Sequence, residues 1–211
     1  IVAGNRASGS GAGIHTYNGE PPLSHVLLLA NVSPAGSATI LVNRASPSWS
    51  HLAVIGNTGA VVGLVAGEPS FTNSLFAGNR STAGVLGYGT LRGCSSWDNV
   101  PAAWSGNAGT VLPPGEYFLA QDGQDVRQWD LHLAAGSPLV ASGVPGPVDV
   151  DLSPVDPGVY GGTSGAGWDL DGDGHPLWWH PGPYDPLLDV DGGWDCDDQD
   201  PAAGPTAGCG G

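Results

Sequence analysis

A short apolar run that ends in asparagine recurs through the first half of the chain and restricts the folds open to it. The clearest copies span residues 24–31, 50–57 and 72–79, with the tail of a copy at 1–5 and a degraded copy at 93–99. The closing residues, spaced by 26, 26, 22 and 20 positions, are Asn5, Asn31, Asn57, Asn79 and Asn99. A period of this length predicts a solenoid with one coil per repeat.

Apolar residues also recur at fixed distances from these asparagines. Eight positions before them stand Leu23, Trp49, Phe71 and Leu91. Three positions before them stand Val2, Leu28, Val54, Phe76 and, in the degraded copy, Ser96. A further apolar patch lies between successive asparagines, at Ile14, 38–42, 61–65 and 85–86. Each repeat therefore offers two or three short strands separated by turn residues.

The residue types within the repeats favour strands over helices. The chain has 36 Gly and 19 Pro, and β-branched residues dominate runs such as 60–65. Such residues suit strands and tight turns better than long helices. The sequence thus predicts an all-β, single-stranded parallel β-helix of about four to five coils, in which like residues stack ~4.8 Å apart.

Two polar columns of this solenoid have structural interpretations. Asparagine tolerates the left-handed conformation of a sharp corner, and stacked asparagines form hydrogen-bonded ladders. Another column holds His25, His51, Asn73 and Gly93. Two stacked histidines suggest a metal, but because the column loses histidine in later coils, a turn or solvent-facing position is favoured.

Charge and hydropathy limit the partners. Only 12% of residues are charged, and five arginines against 20 acids give a net charge of −15. This argues against nucleic acid and anionic membranes and favours cations. No segment reaches the ~18 apolar residues of a membrane span. The chain begins within a strand at Ile1, which suggests a processed fragment of a longer β-helix or an edge used for end-to-end stacking.

The region after the repeats carries a family resemblance. Residues 116–120 predict a strand, and the segments DLHLAAGSPL (130–139) and DPGVYGG (156–162) follow. With the preceding coils, they resemble the end of secreted bacterial right-handed parallel β-helix proteins. The resemblance implies a right-handed β-helix over 1–162, with these segments in the last coil and C-terminal cap, and a secreted or cell-surface location. The fold does not specify an activity.

The acidic region 169–200 contains a candidate calcium loop. Residues 169–174 read D-x-D-x-D-G, so carboxylates at positions 1, 3 and 5 converge on one point and glycine permits the turn. The position 7 carbonyl belongs to His175, as in an EF-hand. Position 12 is His180 instead of glutamate, so we expect Asp185 to supply the remaining ligand.

In a second acidic cluster (189–200), counting Asp189 as position 1 of a calcium loop puts Asp191, Asp195, Asp197 and Asp200 at positions 3, 7, 9 and 12, with Gly193 at position 5. Its segment DCDDQDP (195–201) resembles the acidic repeats of bacterial surface proteins and, more loosely, thrombospondin type 3 calcium repeats. The candidate calcium ligands of both clusters are Asp169, Asp171, Asp173, His175, Asp185, Asp189, Asp191, Asp195, Asp197 and Asp200. We therefore predict a loop-rich, calcium-binding extension over 163–211. The alternative is a disordered acidic tail, which the interleaved aromatic residues disfavour.

Other residues of the chain leave alternatives open. Trp178, Trp179 and Tyr184 form either packing groups or a sugar-stacking platform. Cys94 is expected to be a small buried residue, whereas Cys196 and Cys209 either remain free or close a loop by a disulfide.

Catalysis is not excluded, but no motif demands it. A polysaccharide lyase needs a base beside calcium-binding acids, whereas the coils carry arginines with few acids. Glu20 and Glu68 lie in matching Gly-Glu-Pro turns two coils apart, roughly 9.6 Å by strand spacing, which a glycosidase pair allows. We favour a non-enzymatic structural or adhesive protein that assembles end to end. The competing class is a β-helix that binds or cleaves acidic extracellular glycan through calcium.

Overall fold

The protein is a parallel β-solenoid of about four turns, as seen in a computed structural model. The all-β prediction is therefore confirmed. The structure describes residues 1–81, 87–101, 104, 109–120, 126, 130–134, 136–145 and 154–162.

Thirteen strands are present in the described part of the chain. In chain order they are β1 (Val2–Ala3), β2 (Ile14–Tyr17), β3 (Leu23–Leu29), β4 (Ala38–Asn43), β5 (Ser48–Ile55), β6 (Ala60–Ala66), β7 (Ser70–Thr72), β8 (Leu75–Ala77), β9 (Thr90–Arg92), β10 (Ser95–Trp97), β11 (Thr110–Val111), β12 (Phe118–Ala120) and β13 (Asp130–Leu133).

The strands form two parallel sheets and a narrower third ladder. The main sheet has the order β1-β3-β5-β8-β10-β11, and β7 joins β5 to β9 along its other half. The second sheet has the order β2-β4-β6. Single parallel bridges form the third ladder, which runs through Arg6, Val32, Thr58, Arg80 and Val100. Because every coil adds one rung to each ladder, like positions in successive repeats stack.

The register of the main sheet matches the apolar columns of the sequence. Leu23 pairs with Trp49, Trp49 with Phe71 and Phe71 with Leu91. The column three positions before the asparagines pairs in the same way through Val2, Leu28, Val54, Phe76 and Ser96. In the second sheet, Ile14 pairs with Ile40 and Ile40 with Val62. The repeat alignment therefore predicted the strand register correctly.

One hydrophobic core fills the inside of the coils. It contains both apolar columns together with the inward residues of the second sheet, among them Leu28, Ile40, Val42, Trp49, Val54, Val62, Phe71 and Phe76. Trp104 closes this core at the last described coil, where its ring lies 5.0 Å from that of Phe76 and its indole N–H donates to the Gly89 carbonyl at 3.1 Å.

A second core covers the outer face of the main sheet. Neighbouring residues of a strand point to opposite faces, so Leu27 and Leu29 face outward while Leu28 faces inward. The outward residues pack against the C-terminal part of the chain, through Tyr117, Phe118, Leu131, Leu139 and Val159. Strands β12 and β13 are antiparallel to each other within this outer layer. The main sheet is thus buried on both sides.

The position of the C-terminal segments differs from the one that the family resemblance implied. The described residues 154–162 do not extend the stack as a further coil but run along its side, across the turns of several coils. Gly161 contacts His25 of one coil, and Gly158 donates to the carbonyl of Asn73 two coils further on. We call residues 154–162 the strap.

Candidate functional site

The asparagines that close each repeat form a continuous hydrogen-bonded ladder, which we call the asparagine column (Asn5, Asn31, Asn57, Asn79 and Asn99). At each step the backbone N–H and the side-chain Nδ2 of one asparagine both donate to Oδ1 of the next, at 2.8 to 3.1 Å. Each Nδ2 from Asn31 onward also donates to a main-chain carbonyl of the preceding coil. The predicted ladder is confirmed.

The conformational half of that prediction was wrong, because the asparagines do not occupy the left-handed corner. The residue immediately before each asparagine has positive φ instead, with φ between 50° and 67°. These residues are Gly4, Ala30, Gly56, Gly78 and Asp98. The turn they make directs the asparagine side chain into the solenoid, where Asn31, Asn57 and Asn79 are fully buried. The preceding residue makes the corner, so asparagine is needed here for its amide, which donates through Nδ2 and accepts through Oδ1.

A second set of corners lies six positions before the asparagines, inside β3 and β5 and in the gaps between β7 and β8 and between β9 and β10, and we call it the corner column (His25, His51, Asn73 and Gly93). All four residues have positive φ, between 48° and 56°. The rings of His25 and His51 are stacked, with centroids 4.9 Å apart and planes within 3°. The turn position expected from the sequence is correct, but the side chains are not solvent-facing, because His51 is only 8% exposed.

The strap and the turn before it cover the corner column. His25 Nε2 lies 3.0 Å from the Gly161 carbonyl oxygen, and Gly162 lies against the His51 ring. The Gly158 N–H donates to the Asn73 carbonyl at 2.9 Å, and the Val144 N–H donates to Asn73 Oδ1 at 2.7 Å. The polar groups of this column are therefore partnered by a distant segment and not only by neighbouring coils.

Burial makes both histidines weak bases. It lowers the pKa of His51 from 6.5 to about 4, with a smaller contribution in the same direction from the neighbouring His25 ring. Burial also lowers the pKa of His25, although the hydrogen bond to the Gly161 carbonyl acts in the opposite direction. Both imidazoles are thus neutral at pH 7, and His51 Nδ1 is buried without a hydrogen-bond partner.

Cys94, in the last complete coil, has no sign of reactivity. Its side chain is buried and its sulfur lies 3.3 Å from the carbonyl oxygens of both Phe71 and Arg92. Burial raises the pKa of this thiol to about 11, so it stays protonated at neutral pH. The expectation of a small buried cysteine is confirmed.

The two glutamates considered as a glycosidase pair lie in one column of exposed turns, with Ser46 between them. The Ser46 N–H donates to a Glu20 carboxylate oxygen at 3.0 Å, and the Glu68 N–H donates to the Ser46 hydroxyl oxygen at 3.0 Å. The Glu20 carboxylate therefore has a main-chain partner in the next coil, so its position is explained by turn stabilisation.

The arginines of the coils are distributed over three different parts of the surface. Arg6 and Arg80 share the third ladder, Arg44 has positive φ directly after β4, and Arg92 ends β9. All four are exposed.

The ten predicted calcium ligands, from Asp169 to Asp200, lie outside the described residues, as do Cys196, Cys209 and the sugar-stacking candidates of 178–184. The calcium prediction therefore stays a prediction. Within the part of the chain that the structure describes, no group of three or more His, Cys, Asp or Glu side chains is arranged to hold a metal ion.

The strap and the outer layer are the features that sequence reasoning missed. A signal for them was present in the strands themselves. Residues 26–29 and 52–55 are apolar at every position, whereas a strand with one solvated face alternates apolar and polar residues. Continuous apolar runs of this kind predict burial on both faces of the sheet, and hence a covering layer.

Comparison with known proteins assigns no relative to this chain. A scan against family models gives no match, and neither the curated proteins nor the solved structures include a chain similar to it. Among the described residues, no helix has the length and apolar character needed to cross a membrane.

Proposed function

We propose that this chain is a non-enzymatic structural or adhesive protein, acting outside the cell, in which a β-solenoid carries a calcium-stabilised C-terminal extension. The asparagine column is the observation that carries the proposal. The repeated polar side chains are engaged in hydrogen bonds between coils, at distances of 2.8 to 3.1 Å, which suits a rigid scaffold. Polar groups of the corner column are likewise engaged, by Gly161 of the strap and by the Val144 N–H of the turn before it.

Calcium is proposed for the extension from the chemistry of its sequence. Asp169, Asp171 and Asp173 have the spacing at which three carboxylates of one loop reach the same hard cation, and Gly174 permits the turn. The neighbouring aspartates of 189–200 add the ligands of a second site. Neutralising these acids would remove their mutual repulsion and allow the interleaved tryptophans to pack.

Thermal melting with and without calcium tests the proposal. Calcium at about one hundred times its dissociation constant stabilises a folded protein by about 2.7 kcal/mol, which corresponds to roughly 5–10 °C for a chain of this size. We expect the melting temperature in calcium to exceed that in EDTA by this amount. An unchanged melting temperature, together with no calcium uptake in isothermal titration calorimetry, would contradict calcium stabilisation.

Matched variants locate the effect. Asp169→Asn with Asp171→Asn removes two carboxylates from the first loop, and Glu20→Gln with Glu68→Gln removes two carboxylates from the coils. Only the first pair should reduce the calcium-dependent shift. If both pairs reduce it equally, the shift reflects general charge neutralisation and the loop assignment is wrong.

The same preparations distinguish the competing carbohydrate function. A panel of neutral and uronate polysaccharides is incubated with the protein, and both melting temperature and depolymerisation are measured. Turnover of a uronate polymer would replace the structural proposal with the lyase alternative. A stabilising shift without turnover would instead support glycan binding by the scaffold.

End-to-end association is part of the proposed structural role. Strands β1 and β2 lie at the ends of their respective sheets, so each has a hydrogen-bonding edge that a parallel strand fits. Electron micrographs at high protein concentration should show particles longer than one solenoid. Uniform single particles would contradict stacking of the free chain.

A further inference from the structure

The corner column and the strap meet in a chain of hydrogen bonds that fixes where each imidazole carries its proton. A carbonyl oxygen only accepts, so the 3.0 Å contact between His25 Nε2 and the Gly161 oxygen requires a proton on His25 Nε2. Because that ring is neutral, its Nδ1 carries none. The strap therefore selects one tautomer of His25.

His51 must be the opposite tautomer. Asn73 Oδ1 accepts from the Val144 N–H at 2.7 Å, so the orientation of the amide places its Nδ2 towards His51 Nε2, at 3.4 Å. An amide nitrogen donates, which makes His51 Nε2 an acceptor without a proton. The proton of neutral His51 is therefore on Nδ1, in a buried position without a hydrogen-bond partner.

The described groups around His51 offer no hydrogen-bond acceptor for a second proton on its ring. Added at Nε2, it would point at the donating amide of Asn73. Rotating that amide to present Oδ1 would remove the acceptor from the Val144 N–H. A charged ring would also stand 4.9 Å from its stacked neighbour, with little water to screen it. Protonation of His51 thus opposes the contact of Asn73 with the Val144 N–H, whereas His25 donates to the Gly161 carbonyl in either protonation state.

Among the described residues, few titratable groups lie on the elements packed against the corner column. Strands β3 and β5 carry no charged residue apart from the histidines themselves, and β9 ends in the exposed cation Arg92. On the strap, Asp156 accepts a hydrogen bond from the Ala141 N–H, and Tyr160 is the other titratable residue. No hydrogen bond links a carboxylate to either imidazole within the described residues.

We propose that the corner column and the strap form an acid-released latch, which is closed while His51 is neutral and opens when His51 is protonated beside its stacked neighbour His25. Opening frees residues 154–162 from the corners of three coils and uncovers the outer face of the main sheet near Leu75, against which Gly158 lies. The coils keep their own ladders, since the asparagine column contains no titratable side chain.

The pH range follows from the direction of the pKa shifts. Both histidines have a lower pKa in the closed form than in an open form that exposes them, where the value is near 6.5. The closed form is therefore fully favoured above pH 6.5 and loses stability as the pH falls towards 4. At pH 5, linkage through His51 alone raises the open population by about 30-fold relative to pH 7.5.

Amide hydrogen exchange measured by NMR on the whole chain tests the latch. After correction for intrinsic exchange rates, the amides of Gly158 and Val144 should lose protection at least tenfold between pH 7.5 and pH 5. The amides of Asn31 and Asn57 in the asparagine column should change less than twofold. Equal loss at all four amides would mean acid unfolding of the coils and would overturn the proposal.

The corner column itself supplies the matched variant, because Asn73 occupies the next position of the column with the same left-handed backbone. His25→Asn with His51→Asn should abolish the pH dependence at Gly158. Asp156→Asn keeps the acceptor for Ala141 but removes a titrating carboxyl, and this variant should retain the pH dependence. Retention in the histidine variant, or loss in Asp156→Asn, would overturn the assignment.

If the histidine variant does not fold, the latch is tested instead by titrating the imidazoles of the wild-type protein. The ring signals of His25 and His51 should titrate over the pH range in which Gly158 loses protection. Titration of both rings without any change at Gly158 would show that their protonation is compatible with the closed strap, and the latch would be wrong.

Discussion

The asparagine column and the corner column lie six residues apart in the same coils of the solenoid, yet they are stabilised in different ways. In the first, one residue type repeats and each side chain bonds to its equivalents in the neighbouring coils. In the second, two histidines are followed by asparagine and glycine, and hydrogen bonds to the column come from the strap and from Val144. A repeated amide supplies its own partner, whereas a mixed column depends on a segment from elsewhere.

The chemistry of the side chains explains this difference. A primary amide has its donors on the nitrogen and its acceptor on the oxygen, so each copy in a stack can donate to the next along the whole column. Neutral imidazole has one donor and one acceptor on a rigid ring, and stacking it places neither opposite the matching atom of its neighbour. The histidines therefore stack through their faces, and their Nε2 atoms contact other groups, the Gly161 carbonyl and the Asn73 amide.

Removing one rung of the asparagine column should cause the largest loss of stability. Asn57→Ala leaves the buried N–H groups of Asn31 without their acceptor and the Leu28 carbonyl without its side-chain donor. We expect a loss of about 3–5 kcal/mol in the free energy of unfolding, measured in urea.

The exposed first rung provides the control for that measurement. Asn5 donates to Asn31 but is exposed to solvent, so water replaces the lost bonds in Asn5→Ala. Its cost should stay below about 1 kcal/mol. Similar losses for the two variants would show that burial does not set the strength of the ladder.

Disturbing the strap should cost less, because the hydrogen-bonded ladders between the coils do not depend on it. Gly158 has φ of 108°, and an added Cβ would lie 2.8 Å from Leu75 Cδ1. Gly158→Ala should therefore lower the free energy of unfolding by about 2 kcal/mol and increase exchange of the Val144 amide.

Substitution of Gly136 is the control that separates the cost of backbone strain from the cost of the contact between the strap and the main sheet. It also has positive φ, but an added Cβ would meet no atom within 4 Å. Gly136→Ala should cost only about 1 kcal/mol and leave Val144 protected. Equal effects at both glycines would contradict a specific contact between the strap and the main sheet.

The smallest expected effect concerns the corner before Asn31 and has the opposite sign. Ala30 has φ of 50°, at a position where other coils carry Gly4, Gly56 and Gly78. Ala30→Gly relieves the left-handed strain and should stabilise the protein by about 0.5 kcal/mol, after the greater freedom of glycine in the unfolded chain is subtracted.

Gly78→Ala is the reverse substitution at an equivalent corner. An added Cβ there would have a single neighbour, the Gly56 nitrogen at 3.9 Å, so the cost reports backbone strain alone and should be about 1 kcal/mol. Both variants are measured by urea unfolding. A destabilised Ala30→Gly would show that the left-handed corner is not strained by alanine.

The difference between the two columns also accounts for how much the sequence could predict. Periodic features were accessible, since the spacing of Asn31, Asn57 and Asn79 specifies which residues pair in successive coils. The left-handed residue before each asparagine was assigned one position late, because asparagine and its predecessor both tolerate that backbone. The pattern located the corner, but it did not show which residue makes the left-handed turn and which forms the ladder.

Non-periodic features were not accessible in the same way. The strap contacts the coils through main-chain atoms of Gly158 and Gly161, and main-chain atoms carry no residue-specific signal. Its partner His25 lies 136 residues earlier in the chain. The calcium loop is the reverse case, since its motif is local and its residues, beginning at Asp169, lie outside the described part.

The unequal lengths of the coils have a consequence for how such a chain can be altered. Between the third ladder and the second sheet, five residues separate Val32 from Ala38, but only Gly59 separates Thr58 from Ala60. These four residues account for the whole difference between the coil of 26 and the coil of 22. The segment 33–37 is therefore a natural insertion point, where a foreign loop can be grafted while every column stays in phase.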